Sequence, residues 1–331
     1  MLSFLLPLLI LLAPADAAPV PRTRTFSFEY TATVPASPVG TKAVDLWLPV
    51  PHDDKSQQVR ALRVTAPVPY DIQTGEYGNR ILHLRATGAS LQGFQVKMQL
   101  EATRREHLTP ALATGQHPAR EKADPNLSRW LAPDNLVPLD PKIRLWATEV
   151  VAKAGAKTDL EKARAIYEHV VSTVSYDKTG QGWGRGDIYY ACDARRGNCT
   201  DFHAVFIGYC RALGIPARFS IGFPLPPERG AAEVKGYHCW AEFFTPETGW
   251  VPVDASEAAK NPAHRNYFFG AHDENRLEFS RGRDLLLAPR QQGPALNYFV
   301  YPYAEADGQP LTGIEHTFRF QDVKQQGHLL D

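Results

Sequence analysis

Two stretches of the chain decide its fold: RRGNCTDFHAVFIGYCRALGIPAR, residues 195–218, and GYHCWAEFFTPETGWVPVDAS, residues 236–256. The first predicts a helix over 198–213, because an asparagine precedes it as an N-cap and a Gly-Ile-Pro sequence closes it. The second contains two short apolar runs with a Pro-Glu-Thr-Gly turn signal between them, which predicts a pair of adjacent strands. A helix followed by paired strands predicts a mixed core in which a helix packs on a sheet.

Cys199 occupies a reactive position in this pattern. With Asn198 as the N-cap, Cys199 is the first helical residue, where free N–H groups and the positive end of the helix dipole favour thiolate over thiol. A nearby imidazolium can lower a cysteine pKa from ~8.5 to roughly 3.5–7.5. The N–H of Cys199 can also donate to a developing oxyanion. We therefore predict that Cys199 is a nucleophile.

Two histidines compete as the base for this cysteine. His203 lies one helical turn after Cys199, whereas His238 lies on the first predicted strand of the second stretch. If residues 245–249 form the turn, His238 and Asp254 share one face of the strand pair, roughly 5–8 Å apart between backbones. A carboxylate at that distance can fix the tautomer of the imidazole. We therefore favour His238 with Asp254.

The alternative base, His203, lacks an equally clear partner in the sequence. Asp201 and Glu242 are the carboxylates that remain open as candidates for that role. Taken alone, each of these residues has an ordinary structural explanation, such as burial or turn formation. The prediction rests on their combination, since a cysteine at a helix start, a strand histidine and an aspartate on the next strand form a papain-like order.

Outward from this core, the character of the sequence changes along the chain. Residues 22–106 hold five runs typical of strands, separated by Pro, Gly and Asp clusters, which predict an antiparallel β-sandwich. We expect residues 107–138 to be a linker and residues 139–290 to be the catalytic core, opening with two capped amphipathic helices. Residues 291–331 carry further strand-like runs, which we expect to pack on that core. The predicted fold class is α+β.

The first residues, 1–17, predict a signal peptide. An apolar run from Leu2 to Leu12 is too short to cross ~30 Å of hydrocarbon, and Ala15-Asp16-Ala17 has the form of a cleavage site. An uncleaved anchor is the alternative, because no Lys or Arg precedes the run. We expect export to the periplasm or the extracellular space, with no membrane span after cleavage.

Composition excludes several classes of partner. The 331 residues include 36 Lys and Arg against 36 Asp and Glu, so no field of one sign exists to attract nucleic acid. We predict no cofactor and no metal. A zinc site formed by Cys192, Cys199, His203 and Cys239 is the alternative, although no C-x-x-C pair supports it.

The remaining cysteines are expected to be structural. Cys210 has the helical phase of a buried residue, and Cys239 follows His238 on its strand, so we expect its side chain on the opposite face, away from the site. In an exported protein Cys192 and Cys239 can pair, but four cysteines allow several connectivities.

The motifs G-x-C, H-x-W-x-E and G-W-x-P-x-D, found over residues 195–256, resemble the core of the transglutaminase-like superfamily. This resemblance implies a papain-like fold preceded by a β-sandwich. It also implies Cys199 as nucleophile, His238 as base, Asp254 as orienting acid, and Trp240 and Trp250 as core packing.

The resemblance further implies an aromatic donor to the oxyanion, upstream of the cysteine. Tyr176 and Trp183 are the two candidates, and the sequence does not choose between them. Animal transglutaminases are larger and regulated by calcium, whereas this chain has no EF-hand-like loop. It is more similar to the bacterial secreted members.

We therefore predict a secreted cysteine enzyme that cleaves amide bonds in peptides, proteins or peptidoglycan stems through a thioester. One alternative is a protein-glutamine transamidase, in which an amine replaces water as the acceptor. The other is a catalytically silent binding module.

Overall fold

The computed structural model describes residues 20–109, 112 and 127–323. The predicted signal peptide, residues 1–17, lies outside these residues. The strands are β1 (Thr23–Val34), β2 (Val44–Val50), β3 (Gln57–Thr65), β4 (Tyr70–Thr74), β5 (Arg80–Ala86), β6 (Phe94–Arg105), β7 (His107–Leu108), β8 (Ser175–Tyr176), β9 (Arg196–Gly197), β10 (Ala217–Pro224), β11 (Ala231–Glu233), β12 (His238–Thr245), β13 (Gly249–Val253), β14 (Ala271–His272), β15 (Arg276–Arg281), β16 (Tyr303–Ala306), β17 (Gln309–Pro310) and β18 (Glu315–Asp322). The helices are α1 (Pro141–Lys153), α2 (Asp159–Thr173), α3 (Ile188–Ala194), α4 (Cys199–Ala212) and α5 (Ala255–Lys260). None of the helices described is long and apolar enough to cross a membrane.

Two five-stranded sheets form the sheet-rich part of the molecule. Their strand orders are β11-β18-β1-β6-β3 and β17-β16-β2-β5-β4, and the neighbouring strands are antiparallel. In β1 the residues Phe26, Phe28 and Tyr30 are at most 1% exposed, as their alternation predicts. Strand β4 is absent from the prediction because its residues are mostly exposed and carry no apolar alternation.

The C-terminal strands complete these two sheets. Strand β18 pairs with β1, placing Phe320 opposite Phe28, and β16 pairs with β2, placing Ala304 opposite Leu46. This differs from our expectation that the strands of residues 291–331 pack on the catalytic core. The alternation within a strand reveals which face it buries, but it does not encode which distant sheet edge its backbone groups join.

A four-stranded antiparallel sheet, β13-β12-β10-β15, supports the helical half of the molecule. Helix α4 packs on it, and all fourteen residues of that helix are buried. An all-round buried helix is expected for an apolar segment enclosed by other elements, and here α1, α2 and α3 cover α4. The predicted caps form: Asp140 accepts from the N–H groups at the start of α1, and Thr158 and Glu161 form a capping box on α2.

Aromatic rings join the sheet-rich part to this core. Phe223 of β10 stacks on Phe28 of β1 with 5.5 Å between ring centroids, and it lies 4.1 Å from Phe318 of β18. The α+β fold predicted from the sequence is confirmed, and β1 and β18 of the sheet-rich part pack against β10 of the four-stranded sheet.

Candidate active site

The start of α4 positions Cys199. The Asn198 side chain accepts from the N–H of Thr200 at 2.9 Å, and the Asp201 carboxylate accepts from the N–H of Asn198 at 2.9 Å. This capping box satisfies the neighbouring amides, and none of its hydrogen bonds engages the N–H of Cys199. Cys199 is 2% exposed. Its sulfur and its own amide are thus held at the positive end of the helix.

The Asp201 carboxylate also fixes a glycine-containing loop beside Cys199. It accepts from the N–H of Gly184 at 2.7 Å and from the N–H of Gly186 at 3.0 Å. A Cβ atom on residue 197 would overlap the Asp201 carboxylate, so only glycine fits at this position. Sequence reasoning missed this role, although the Asn-x-x-Asp spacing of a capping box was visible at residues 198–201.

The second half of the site is the pair His238 and Asp254. Ala241 lies opposite Val253 in the register of β12 and β13, which places His238 and Asp254 on one face as the parity argument requires. His238 Nε2 and Asp254 Oδ2 are 2.8 Å apart, and both residues are buried. The sulfur of Cys199 is the second partner of this imidazole, and their interaction raises the pKa of His238 and lowers that of Cys199. The structure therefore brings the three predicted residues into one contact chain.

The charges of Cys199, His238 and Asp254 favour an ion pair between the Cys199 thiolate and the His238 imidazolium. Burial alone would lower the pKa of His238, but the charge of Asp254 and its hydrogen bond raise it to about 10. Burial would likewise raise the pKa of Cys199, yet hydrogen bonds from Cys239 and His238 and the charge of His238 hold it well below its usual value. A histidine pKa above that of the cysteine means that thiolate and imidazolium coexist at neutral pH.

Asp254 is itself held by groups that the sequence analysis missed. As N-cap of α5, its Oδ1 accepts from Ser256 Oγ and from the N–H of Glu257, each at 3.0 Å. Arg276 Nη1 donates to Oδ2 at 3.1 Å. Burial opposes ionisation of Asp254, but His238 and Arg276 lower its pKa well below the usual value. The Asp-x-x-Glu cap was visible in the sequence, whereas nothing local identified Arg276.

His203, the rival base, lies on the other side of Asp254 in a different environment. Its Nε2 accepts from the N–H of Ala255 at 3.2 Å and is 3.8 Å from Asp254 Oδ1. Burial lowers its pKa, and the attraction of Asp254 does not compensate, so the ring is neutral. The two carboxylates considered for it are engaged elsewhere: Asp201 binds the glycine loop, and Glu242 binds Arg218 at 2.6 Å.

Cys239 corrects one expectation. We expected its side chain to point away from the site, but it hydrogen-bonds to the sulfur of Cys199 and lies 3.6 Å from Nδ1 of His203. Alternation does send His238 and Cys239 to opposite faces, but these are the first two residues of β12, and Cys199 at the start of α4 interacts with both. All four cysteines are free, and Cys192 contacts the hydroxyl of Tyr209 at 3.4 Å, so it is not paired with Cys239.

The two candidate oxyanion donors lie in different surroundings. Tyr176, on β8, is close enough to Cys199 that the thiolate charge adds to burial in raising the pKa of its hydroxyl. Trp183 lies in the glycine loop, where Lys178 approaches its ring at 6.0 Å. Of the two, the arrangement favours Tyr176 as the group that reaches the sulfur.

Two further tyrosines cover the site and were not predicted. Tyr237 Oη accepts from Asn198 Nδ2 at 2.9 Å, and the rings of Tyr237 and Tyr298 lie 5.4 Å apart. Both hydroxyls lie 3.4 Å from the carbonyl oxygen of Gly184. They tie the glycine loop to the sheet above Cys199. Tyr237 was adjacent to a predicted site residue, but Tyr298 comes from the C-terminal part and had no local signal.

Comparison with known proteins agrees with this geometry. Residues 146–255 match the family described as the transglutaminase-like superfamily. An uncharacterized protein of Haemophilus influenzae is 27% identical over 326 residues, covering 88% of this chain and 87% of that protein. The uncharacterized protein YebA of Bacillus subtilis is 29% identical over 117 residues, which cover 31% of this chain and 16% of YebA.

A solved structure shares the fold over nearly the whole chain. The crystal structure of a "putative cysteine protease" from Cytophaga hutchinsonii superposes with a TM-score of 0.59 at 16% identity, covering 92% of each chain. The match extends over the sheet-rich part as well as the helical core. Residues 146–255 thus match the transglutaminase-like superfamily, and the fold of the whole chain resembles that of the Cytophaga structure.

Proposed function

We propose that this protein is a cysteine enzyme that cleaves amide bonds in peptides, proteins or peptidoglycan stems. Cys199 is the nucleophile, His238 the general base and acid, and Asp254 the orienting carboxylate. One observation carries the proposal: a single imidazole contacts both the buried sulfur and a buried carboxylate, 2.8 Å away, that holds it protonated. A purely structural role gives no reason to bury a thiolate and an imidazolium together.

The proposed reaction forms and breaks one thioester. The Cys199 thiolate attacks the amide carbonyl carbon, and the developing oxyanion accepts hydrogen bonds from the N–H of Cys199 and the hydroxyl of Tyr176. His238 gives its proton to the leaving amine, which departs as the acyl-enzyme forms. Neutral His238 then takes a proton from water, the hydroxide oxygen attacks the thioester, and the carboxylic acid leaves as the thiolate returns.

A transamidase is the second candidate, and the burial of the sulfur favours it. Cys199 is 2% exposed, and Tyr237 and Tyr298 are near enough for its thiolate charge to raise the pKa of both hydroxyls. Exclusion of water lengthens the life of a thioester and gives a lysine amine time to compete. The silent-module alternative has no comparable support, because the contact chain from sulfur to carboxylate is complete.

We further propose that the enzyme acts outside the cytosol. The apolar run from Leu2 to Leu12 and the Ala-Asp-Ala sequence at 15–17 support export with cleavage after Ala17. Sequencing the N-terminus of protein recovered from the source cell tests this step. A first residue other than 18, or retention of residues 1–17, would contradict it.

An acyl-transfer assay tests the proposed chemistry. Wild-type protein is incubated with a glutaminyl peptide library, with and without a primary amine, and Cys199→Ala serves as the control. We expect carboxylic acid products and a covalent acyl-enzyme mass on wild type alone. An amine adduct that outcompetes the acid would assign the transamidase instead. If wild type and Cys199→Ala are equally inert while an iodoacetamide label prefers Cys210, the enzymatic assignment fails.

A further inference from the structure

A polar cavity lies beside the four-stranded sheet, and Cys199 is not part of its lining. It has a volume of about 280 Å³ and lies between the sandwich, which contributes Arg104, and the core sheet, which contributes Arg218, Trp240 and Arg281. We call it the arginine cavity. Trp240 lines the cavity, and its ring is 5.9 Å from the ring of His238. The cavity therefore continues the same sheet face that carries His238.

Two of the three arginines are paired with carboxylates. Arg218 Nε binds Glu242 Oε2 at 2.6 Å. Arg281 binds Asp54 through Nη2 and Glu278 through Nε, each at 2.6 Å. These contacts use all three carboxylates of the cavity.

Arg104 differs from the other two arginines. It is 2% exposed, and its nearest carboxylate, Asp54, lies 4.0 Å away and is already bound to Arg281. Within the part of the chain that the structure describes, Nε and Nη1 of Arg104 have no hydrogen-bond partner. Buried guanidinium donors without acceptors are rare and costly. This guanidinium is therefore equipped for an acceptor that the chain itself does not supply.

The missing acceptor is an anion rather than a metal ion. His52, Asp54 and Glu278 have ligand atoms within 4.8 Å of one another, which is a spacing that suits a cation. Arg281, however, forms ion pairs with both of those carboxylates, so its positive charge repels a cation. Burial also keeps His272, on the cavity wall, neutral, and its Nε2 lacks a partner among the described residues.

We propose that the arginine cavity binds the carboxylate of a small ligand, with Arg104 as the binding residue. Guanidinium donors match a carboxylate in geometry and charge. The volume admits a carboxylate on a short stem. Lys55 and the three arginines exceed Asp54, Glu242 and Glu278 by one positive charge, which a monovalent anion neutralises. Two sources share this chemistry, a free small organic acid and the C-terminal carboxylate of a peptide.

Calorimetric titration of the full chain with sodium acetate tests the site, with sodium chloride at equal ionic strength and neutral acetamide as comparisons. We expect saturable acetate binding in about the millimolar range, as suits so small a ligand, and a change in tryptophan fluorescence from Trp240. N-acetylalanine is titrated in parallel. Binding at least as tight as that of acetate assigns the peptide terminus, whereas acetate binding alone assigns a free acid. Acetate that behaves like chloride or acetamide overturns the proposal.

A matched pair of variants assigns the residue. Arg104→Gln should weaken acetate binding by about 10-fold or more, because charged hydrogen bonds are lost. Arg24→Gln is the control: Arg24 is also 2% exposed, but its donors already bind Asp322, Asn275 and the carbonyl oxygen of Pro226. Unchanged acetate binding in Arg104→Gln overturns the assignment. If that variant does not fold, Arg104→Lys and the acetamide comparison on wild type decide the same question.

Discussion

Two buried histidines flank Asp254, and they differ in charge. His238 and His203 are both almost fully buried, and both are attracted to the same carboxylate. His238 Nε2 lies 2.8 Å from Asp254, which raises its pKa to about 10, whereas His203 lies 3.8 Å away and has a lowered pKa. A difference of one hydrogen bond therefore decides which ring carries a proton.

The other hydrogen-bond partners of each ring extend this contrast. The N–H of Ala255 donates to Nε2 of His203, so that nitrogen must be unprotonated. His238 instead contacts a carboxylate on one side and the sulfur of Cys199 on the other, and both contacts favour the protonated ring. The comparison teaches that burial beside a carboxylate does not make a base, because the remaining hydrogen-bond partners determine the charge.

The largest effect is expected when His238 is removed. His238→Ala should lower kcat/KM by about 10³-fold to 10⁴-fold, since both the thiolate partner and the proton donor are lost. Iodoacetamide labelling of Cys199 at neutral pH should slow in parallel, because the pKa of the thiol rises. Rates of both reactions, measured from pH 5 to 10, check the prediction.

His203→Gln is the matched control for that experiment. Glutamine can still accept from the N–H of Ala255, so we expect a lower melting temperature but a wild-type pH profile of labelling. A dead His203→Gln beside an active His238→Ala would reverse the comparison and make His203 the base.

Asp254→Asn should have the next largest effect. An asparagine amide cannot stabilise the imidazolium, so activity should fall by roughly 10²-fold to 10⁴-fold. The alkaline limit of the pH profile, set in wild type by the His238 pKa of about 10, should move down towards the ordinary histidine value of ~6.5. The sign follows because deprotonation of His238 removes the charge that stabilises the thiolate. If the alkaline limit of the kcat/KM profile is the same in Asp254→Asn as in the wild type, the proposed role of Asp254 is contradicted.

The same variant also reports on stability. Because the folded-state pKa of Asp254 is lowered, its ionised form stabilises the fold above the ordinary carboxyl pKa of ~3.9. That contribution is lost as pH falls through the lowered value. The melting temperature of the wild type should therefore fall more steeply with decreasing pH than that of Asp254→Asn. Thermal denaturation between pH 2 and 7 would show this difference.

Local sequence signals predicted the parts of the fold that local interactions decide. The caps at Asp140, Thr158 and Asn198 and the shared face of His238 and Asp254 follow from spacing within one element or one hairpin. Strand pairing across the chain did not follow, as β18 beside β1 illustrates. Neither did the contacts made by Arg276 and Tyr298, since packing brings those side chains to the site from distant segments.

Cys239 explains why the finer arrangement of the site escaped the sequence. The alternation of β12 places Cys239 on the opposite face from His238, which is correct for the middle of a strand. At the end of a strand, however, the start of a helix can contact both faces. Only the position of α4 against β12 determines that Cys239 meets Cys199, and that position depends on the packing of the whole core.

Replacement of Cys239 should have the smallest effect on activity. Cys239→Ala removes a hydrogen bond that lowers the pKa of Cys199, so the acidic limit of iodoacetamide labelling should move to higher pH. Activity at neutral pH should fall by up to about tenfold, because His238 still holds the thiolate. Cys239→Ser should restore most of the loss, since a hydroxyl can donate the same bond. Cys210→Ala is the control. Cys210 is in α4, as Cys199 is, but it is fully buried, so its replacement should destabilise the fold without moving the labelling profile. Equal shifts of the labelling profile in Cys210→Ala and Cys239→Ala would contradict this role of Cys239. The hydrogen bond from Cys239 would then not contribute to the pKa of Cys199, and the ion pair with His238 alone would keep the thiol ionised.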